Sequence, residues 1–172
     1  LNKVKPYNSN IVFGHSRLIT NGLGDNQPVV RGKICALHNG IIVNEDEIWS
    51  KLQGERRLQI DSEAIVAIAE EFLLNEGKVE DLGKEILETC RGVVACALVL
   101  TELGKLILFS NNGSLYFGQK DDSVYFASES YGLRLIECKD IRLIKGECEI
   151  IDIPISRQEF EIKDEKIRIE NL

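Results

Sequence analysis

Residues 33–43 read KICALHNGIIV, an apolar run broken by the polar triplet His38-Asn39-Gly40. Apolar residues on both sides of the triplet make this a strand with its polar groups at the end. Upstream, GHSRLITNG (14–22) has the same format: Ile11-Val12-Phe13 runs as a strand into His15, Arg17 and a polar turn. The two stretches hold both histidines of the chain. Between them, TNGLGDNQPVVRG carries the Gly, Asn, Asp and Pro of turns.

Working outward, helical signals follow. Asn44 with Glu47 three residues on matches a capping box, ahead of Ile48 and Leu52 at i and i+4. From Asp61, the apolar residues Ile65, Ile68, Ala69, Phe72 and Leu73 fall on one helical face, which ends near Asn75–Gly77. A shorter helix is expected around Glu80–Leu87. After Gly92 the pattern changes to strands: VVACALVL, GKLILFS, SLYFGQK and SVYFASE, with turns at Asn112-Gly113 and Asp121-Asp122-Ser123. A last pair, IRLIKGECEIIDI, bends at Lys145–Gly146. Strands, then helices, then an antiparallel meander predict an α+β domain with helices packed on sheets.

Composition sets the class. With 172 residues, 44% hydrophobic and 28% charged, the chain reads as one globular, soluble domain. No apolar run approaches the roughly 20 residues that span a bilayer, and LNKVKPYNSN lacks a signal-peptide core. The net charge of −7 argues against a broad nucleic-acid-binding face but leaves room for a local anion pocket. The five cysteines, with no CxxC spacing, fit buried, reduced thiols of a cytoplasmic protein. Cys35 and His38 fall on opposite faces of a strand, so neither a metal site nor a cofactor is expected.

Three polar sites punctuate this framework: Arg17 with Thr20 and Asn21, the Asn39-Gly40 pair, and Asp61. Each stands where an element begins or ends, the usual place for a site on a rigid scaffold. An arginine fork holds a carboxylate and an aspartate holds an ammonium, so Arg17 and Asp61 together fit a free α-amino acid. An Asn side-chain N–H beside a Gly backbone N–H supplies two donors for a developing oxyanion. Plainer readings stand beside these: a surface ion pair between Arg17 and Asp61, a hairpin turn at Asn39-Gly40, and a helix cap at Asp61. The histidines are expected to brace the backbone around Arg17 and Asn39 rather than to transfer protons.

The order GHSRLITNG, NQPVV, LHNGIIVNEDEI and IDSEAIVAIAEE, followed by RGVVACALVL, LFSNNGSLYFG, VYFASE and IKGECEIIDI, resembles the glutaminase domain of class II glutamine amidotransferases. The wording is nearest to the glutaminase half of the glucosamine-6-phosphate synthase type. This resemblance implies an N-terminal-nucleophile hydrolase fold, an αββα sandwich of two antiparallel sheets between helical layers. It implies an enzyme that hydrolyses L-glutamine to glutamate and ammonia, for an acceptor such as an amino-sugar precursor. Arg17 then matches the residue that binds the substrate α-carboxylate, with Thr20 and Asn21 in the same loop. Asn39 and Gly40 match the oxyanion hole, and Asp61 the acid that holds the α-amino group. The expected partners are L-glutamine and a synthase domain, fused or separate, with a homo-oligomer allowed and neither nucleic acid nor membrane. The domain is expected over 1–153, with 154–172 an edge strand or a linker toward a synthase.

The chain departs from the family pattern in three places. The family nucleophile is a cysteine at the very start of the mature chain whose α-amine, with a pKa of about 8, acts as base. This sequence opens on Leu1, and its first cysteine is Cys35. The expectation is a chain without its N-terminal strand and nucleophile; the alternative is an inactive glutamine-binding or regulatory module. A hydrolase for another amide fits less well, because the Arg17–Asp61 pair suits a free amino acid. Leu18 stands where an aromatic residue is usual, and Asn21 where histidine is common.

Overall fold

The computed structural model describes residues 10–16 and 26–154. The chain-order elements are β1 (Val29–Arg31), β2 (Ile34–Ile42), α1 (Glu45–Lys51), α2 (Glu63–Leu74), α3 (Val79–Thr89), β3 (Gly92–Leu100), β4 (Lys105–Ser110), β5 (Tyr116–Lys120), β6 (Ser123–Ala127), α4 (Ser130–Leu135), β7 (Lys139–Leu143) and β8 (Cys148–Asp152). Among the described residues the strands form two antiparallel sheets, ordered β1-β2-β3-β4-β8 and β6-β5-β7.

Strand alternation sorts the core into two layers. On β2 and β3, Ile34, Ala36, Ile42, Val94, Cys96 and Leu98 face the helices and pack with Ile65, Ile68, Leu82 and Ile86. The other face, with Cys35, Leu37, Ala95, Ala97 and Val99, meets Phe117 of the second sheet and Leu115 just ahead of it. Helix α4 packs on that second sheet, so the layers run helix, sheet, sheet, helix. The helical stripe read from Ile65 to Leu73 is the buried face of α2, each fully buried aliphatic side chain contributing about 1.5–3 kcal/mol. The first turns of α2 are buried all round, beyond the stripe.

Four expectations change. The segment 10–16 forms no strand; Ile11 and Phe13 turn inward against the core between the sheets without joining a ladder. Asn44 precedes α1 but makes no capping bond. Its side chain instead donates to the Thr89 carbonyl at 3.0 Å and accepts from the Arg91 amide at 2.7 Å, tying α1 to the α3–β3 turn. The meander is split between sheets: Asn112-Gly113 carries the chain from β4 of the first sheet to β5 of the second. Likewise β7 and β8 are no hairpin, since β7 pairs with β5 and β8 with β4. Both crossings meet at buried Ser110, whose hydroxyl accepts from Gly113 N–H and whose carbonyl accepts from Gly146 N–H, each at 2.9 Å.

Candidate active site

Neither the strand end nor the hairpin turn expected at Asn39-Gly40 is found: both residues lie within β2, paired with Ala95 and Val94 of β3, and two glycines allow the close approach there. A Cβ on Gly40 would lie 1.9 Å from the Val93 carbonyl oxygen, and one on Gly92 would lie 2.1 Å from that of Ile41. Both have positive φ, +155° and +121°. Because backbone groups alternate along a strand, the amides of His38, Gly40 and Ile42 point to the edge away from β3. The His38 amide is taken by the Gln27 carboxamide at 2.6 Å, and the Ile42 amide by the Asp61 carboxylate at 2.8 Å. The Gly40 amide faces the same edge between them.

Asn39 is exposed and sits on the face toward the second sheet. It lines a cavity of about 230 Å³ with Ser16, Leu37, Ala95, Leu115 and Phe126. His15 lines the same cavity. A larger groove of about 580 Å³ between α1, α2 and α3 contains none of the candidate residues.

Asp61 is 7% exposed and precedes α2 without capping it. One oxygen accepts from Ile42 N–H and the other lies 3.4 Å from the Ser62 hydroxyl. Among the described residues no cation pairs with this carboxylate. A buried anion is costly unless hydrogen bonds or an opposite charge compensate it. The helix-cap reading of Asp61 does not match this geometry, and its pairing with Arg17 falls outside the described residues. Asp61 does not line the cavity beside Asn39.

His38 braces this part of β2. Its Nε2–H donates to the Val93 carbonyl at 3.1 Å, and Nδ1 lies 3.0 Å from Ser62 Oγ. Burial pushes its pKa below the usual 6.5, against the charge of Asp61 and the bond to Val93. Buried Cys90 is pushed up to about 12 by burial and by the Asp61 charge, so it is an inert thiol. Cys35 is also buried, with its pKa raised by burial, and sits on the face opposite His38.

The structure thus brings Asn39, Gly40 and Asp61 to one end of β2, whereas Arg17, Thr20 and Asn21, with Leu18, lie outside the described residues. Sequence reasoning missed Arg31, which is 5% exposed on β1. Its guanidinium pairs with Glu70 at 2.5 Å and Glu63 at 3.4 Å, and Glu63 accepts the amides of Arg57 and Leu58. This cluster fixes the loop that delivers Asp61. An arginine within the VVR strand, with two glutamates seven apart on the following helix, was the available signal. Among the described residues no group of three or more His, Cys, Asp or Glu could hold a metal ion. No described helix is long and apolar enough to cross a membrane.

The model of the glutamine amidotransferase domain family matches residues 15–134. The glutamine–fructose-6-phosphate aminotransferase (isomerizing) of Thermococcus kodakarensis is 31% identical over 148 residues, covering 81% of this chain and 25% of that protein. Its namesake from Pyrococcus horikoshii is 28% identical over 164 residues, covering 90% of this chain and 27% of the relative. The chain thus spans about a quarter of the length of these curated relatives. Among solved structures, the Bacillus subtilis glutamine phosphoribosylpyrophosphate amidotransferase complexed with ADP and GMP superposes with a TM-score of 0.68. It is 21% identical, over 80% of this chain and 32% of that one, which makes it a likeness of fold. A structure described as the allosteric regulatory enzyme of purine biosynthesis gives a TM-score of 0.62 over 73% of this chain and 29% of that one, again at 21% identity. With the family model matching residues 15–134, this chain belongs to the glutamine amidotransferase domain family.

Proposed function

We propose that this chain binds L-glutamine and supports its hydrolysis to glutamate and ammonia, the ammonia passing to a synthase domain. The observation that carries the reading is Asp61: a buried carboxylate without a cationic partner among the described residues, anchored on β2 two positions past Gly40. Its free charge suits the α-ammonium of glutamine, and Arg17, with Thr20 and Asn21, would take the α-carboxylate. As a thiolate attacks the amide carbon, negative charge grows on the carbonyl oxygen. The Asn39 side-chain N–H and the Gly40 backbone N–H, held on a rigid strand, would stabilise that charge without reorganising. The family resemblance supplies the thiolate from an N-terminal cysteine.

The relatives named as glutamine–fructose-6-phosphate aminotransferases support a hexose phosphate as acceptor and amino-sugar synthesis as the use. The test gives the full-length protein glutamine, or a glutamine-mimicking alkylator, and follows glutamate release and covalent mass gain. Both are expected, and the absence of both overturns the reading. Asp61→Asn should raise the KM for glutamine about 100-fold or more, as expected for breaking a buried charge pair. An unchanged KM would show that Asp61 serves only to hold the Ile42 amide.

A further inference from the structure

At the end of β1 a side chain takes over from a strand. The β1–β2 ladder runs Arg31↔Ile34, Val30↔Cys35 and Val29↔Ala36, and then meets Pro28, which has no N–H to give. Beyond it, the Gln27 carboxamide clasps His38 at both backbone groups. Its Oε1 accepts the His38 amide at 2.6 Å and its Nε2 donates to the His38 carbonyl at 2.8 Å. The clasp holds the residue immediately before Asn39.

A second chain of bonds starts at the same carboxamide. Gln27 Nε2 lies 3.4 Å from Ser62 Oγ, which is wholly buried and 3.0 Å from His38 Nδ1. A carbonyl can only accept, so the ring nitrogen facing Val93 carries the proton and Nδ1 of the neutral ring accepts. The single Ser62 proton has two acceptors in reach, Nδ1 at 3.0 Å and Asp61 Oδ1 at 3.4 Å; the shorter contact takes it to Nδ1, and the hydroxyl oxygen receives Gln27. Backbone clasp and ring relay together fix His38 against both the start of α2 and the Val93 carbonyl that packs on Gly40.

We infer that Gln27 and Ser62 are positioning residues for the glutamine reaction, setting through His38 the place of the Asn39-Gly40 oxyanion donors. This rests on the proposed glutamine reading. Both residues bond to His38 rather than to Asn39 or Gly40, so each acts through this part of β2. Losing the clasp shifts donors that matter most when the oxyanion develops, and a misplacement of about 1 Å can cost up to about 100-fold in rate.

The experiment measures steady-state glutaminase kinetics on the full-length protein for Gln27→Ala, Ser62→Ala, Ser62→Thr, Asn39→Ala and Asp61→Asn. Gln27→Ala and Ser62→Ala are expected to lower kcat about 10- to 100-fold with KM within about 3-fold. Ser62→Thr keeps the hydroxyl and should restore most of kcat. Nitrogen-15 NMR of the His38 ring should show the Nε2–H form, with the Nδ1 signal displaced in Ser62→Ala. If Asn39→Ala and Asp61→Asn cripple turnover while Ser62→Ala leaves kcat unchanged, the positioning role is overturned and the glutamine reading stands. If Asn39→Ala and Asp61→Asn also leave turnover unchanged, the glutamine reading itself fails. Should Gln27→Ala not fold, the Ser62 pair decides the matter alone.

Discussion

Replacing Gly40 by alanine tests the close approach of β2 and β3 directly. The new methyl would start 1.9 Å from the Val93 carbonyl oxygen, 2.7 Å from its carbon and 2.8 Å from His38 Nε2. Side-chain β-carbons essentially never come within 3.0 Å of such atoms, so the strands must part by at least about 1.1 Å locally. That movement stretches the 3.1 Å bond from His38 to Val93 past hydrogen-bonding range, at a cost of about 1 kcal/mol. Forced overpacking adds about 1–3 kcal/mol. The positive φ of +155° adds strain of the same order for a residue with a side chain. A total of about 3–7 kcal/mol corresponds to a fall in melting temperature of roughly 10–20 °C for a domain of this length. Gly132→Ala is the control: it lies in α4 with nothing within 4 Å of the added carbon, and should be neutral or stabilising by up to about 1 kcal/mol. Thermal melts followed by circular dichroism compare both variants with the parent. A Gly40→Ala melt within about 2 °C of the parent would refute the steric reasoning.

Three further outcomes are expected. Arg31→Met strands Glu63 as an unpaired buried charge and should cost about 3–5 kcal/mol in urea unfolding. Adding Glu63→Gln should then cost less than it does alone, and strict additivity would show that the two groups do not interact. For His38 the folded pKa lies below the unfolded 6.5, so the unfolded chain binds the extra proton and stability falls as pH drops below 6.5. Urea midpoints at pH 5.5 and 7.5 should show a smaller drop in His38→Gln than in the parent; equal slopes would exclude His38 as the source. At pH 8, iodoacetamide should leave Cys90 and Cys96 unlabelled in the folded chain, burial holding both thiols protonated, and should reach them after unfolding. Rapid labelling of Cys90 in native buffer would contradict the packing around it.

Local signals in the sequence carried the local results. The stripe from Ile65 to Leu73 defined α2, because it depends on neighbours a turn away, whereas pairing with β3 carries β2 through the polar triplet to Ile42. Asp61 was legible as a residue ahead of a helix, but its bond to the Ile42 amide joins segments 19 residues apart. The division of the later strands into two sheets was not legible. Asn112-Gly113 carries ordinary turn residues, and only the partner choice of β5 and β7 decides that it crosses between layers. Asn44 illustrates the same limit: its capping spacing was correct, yet Thr89 and Arg91 compete successfully for its amide. Arg31 was hidden for a similar reason, since an arginine on an edge strand is buried only when a glutamate pair on α2 meets it. Gln27 in NQPVV was likewise taken for turn chemistry, and its role depends on where β1 stops.

The crossing at 111–115 has a consequence for how such a domain diversifies. Ser114 and Leu115 belong to the cavity wall opposite Asn39, yet they lie just past the point where the chain leaves one ladder and before it enters the next. A substitution there shifts no strand register, while Ser110 keeps both crossings stitched. The wall facing Asn39 can therefore be reshaped as a separate module without disturbing the β2–β3 pairing beside it.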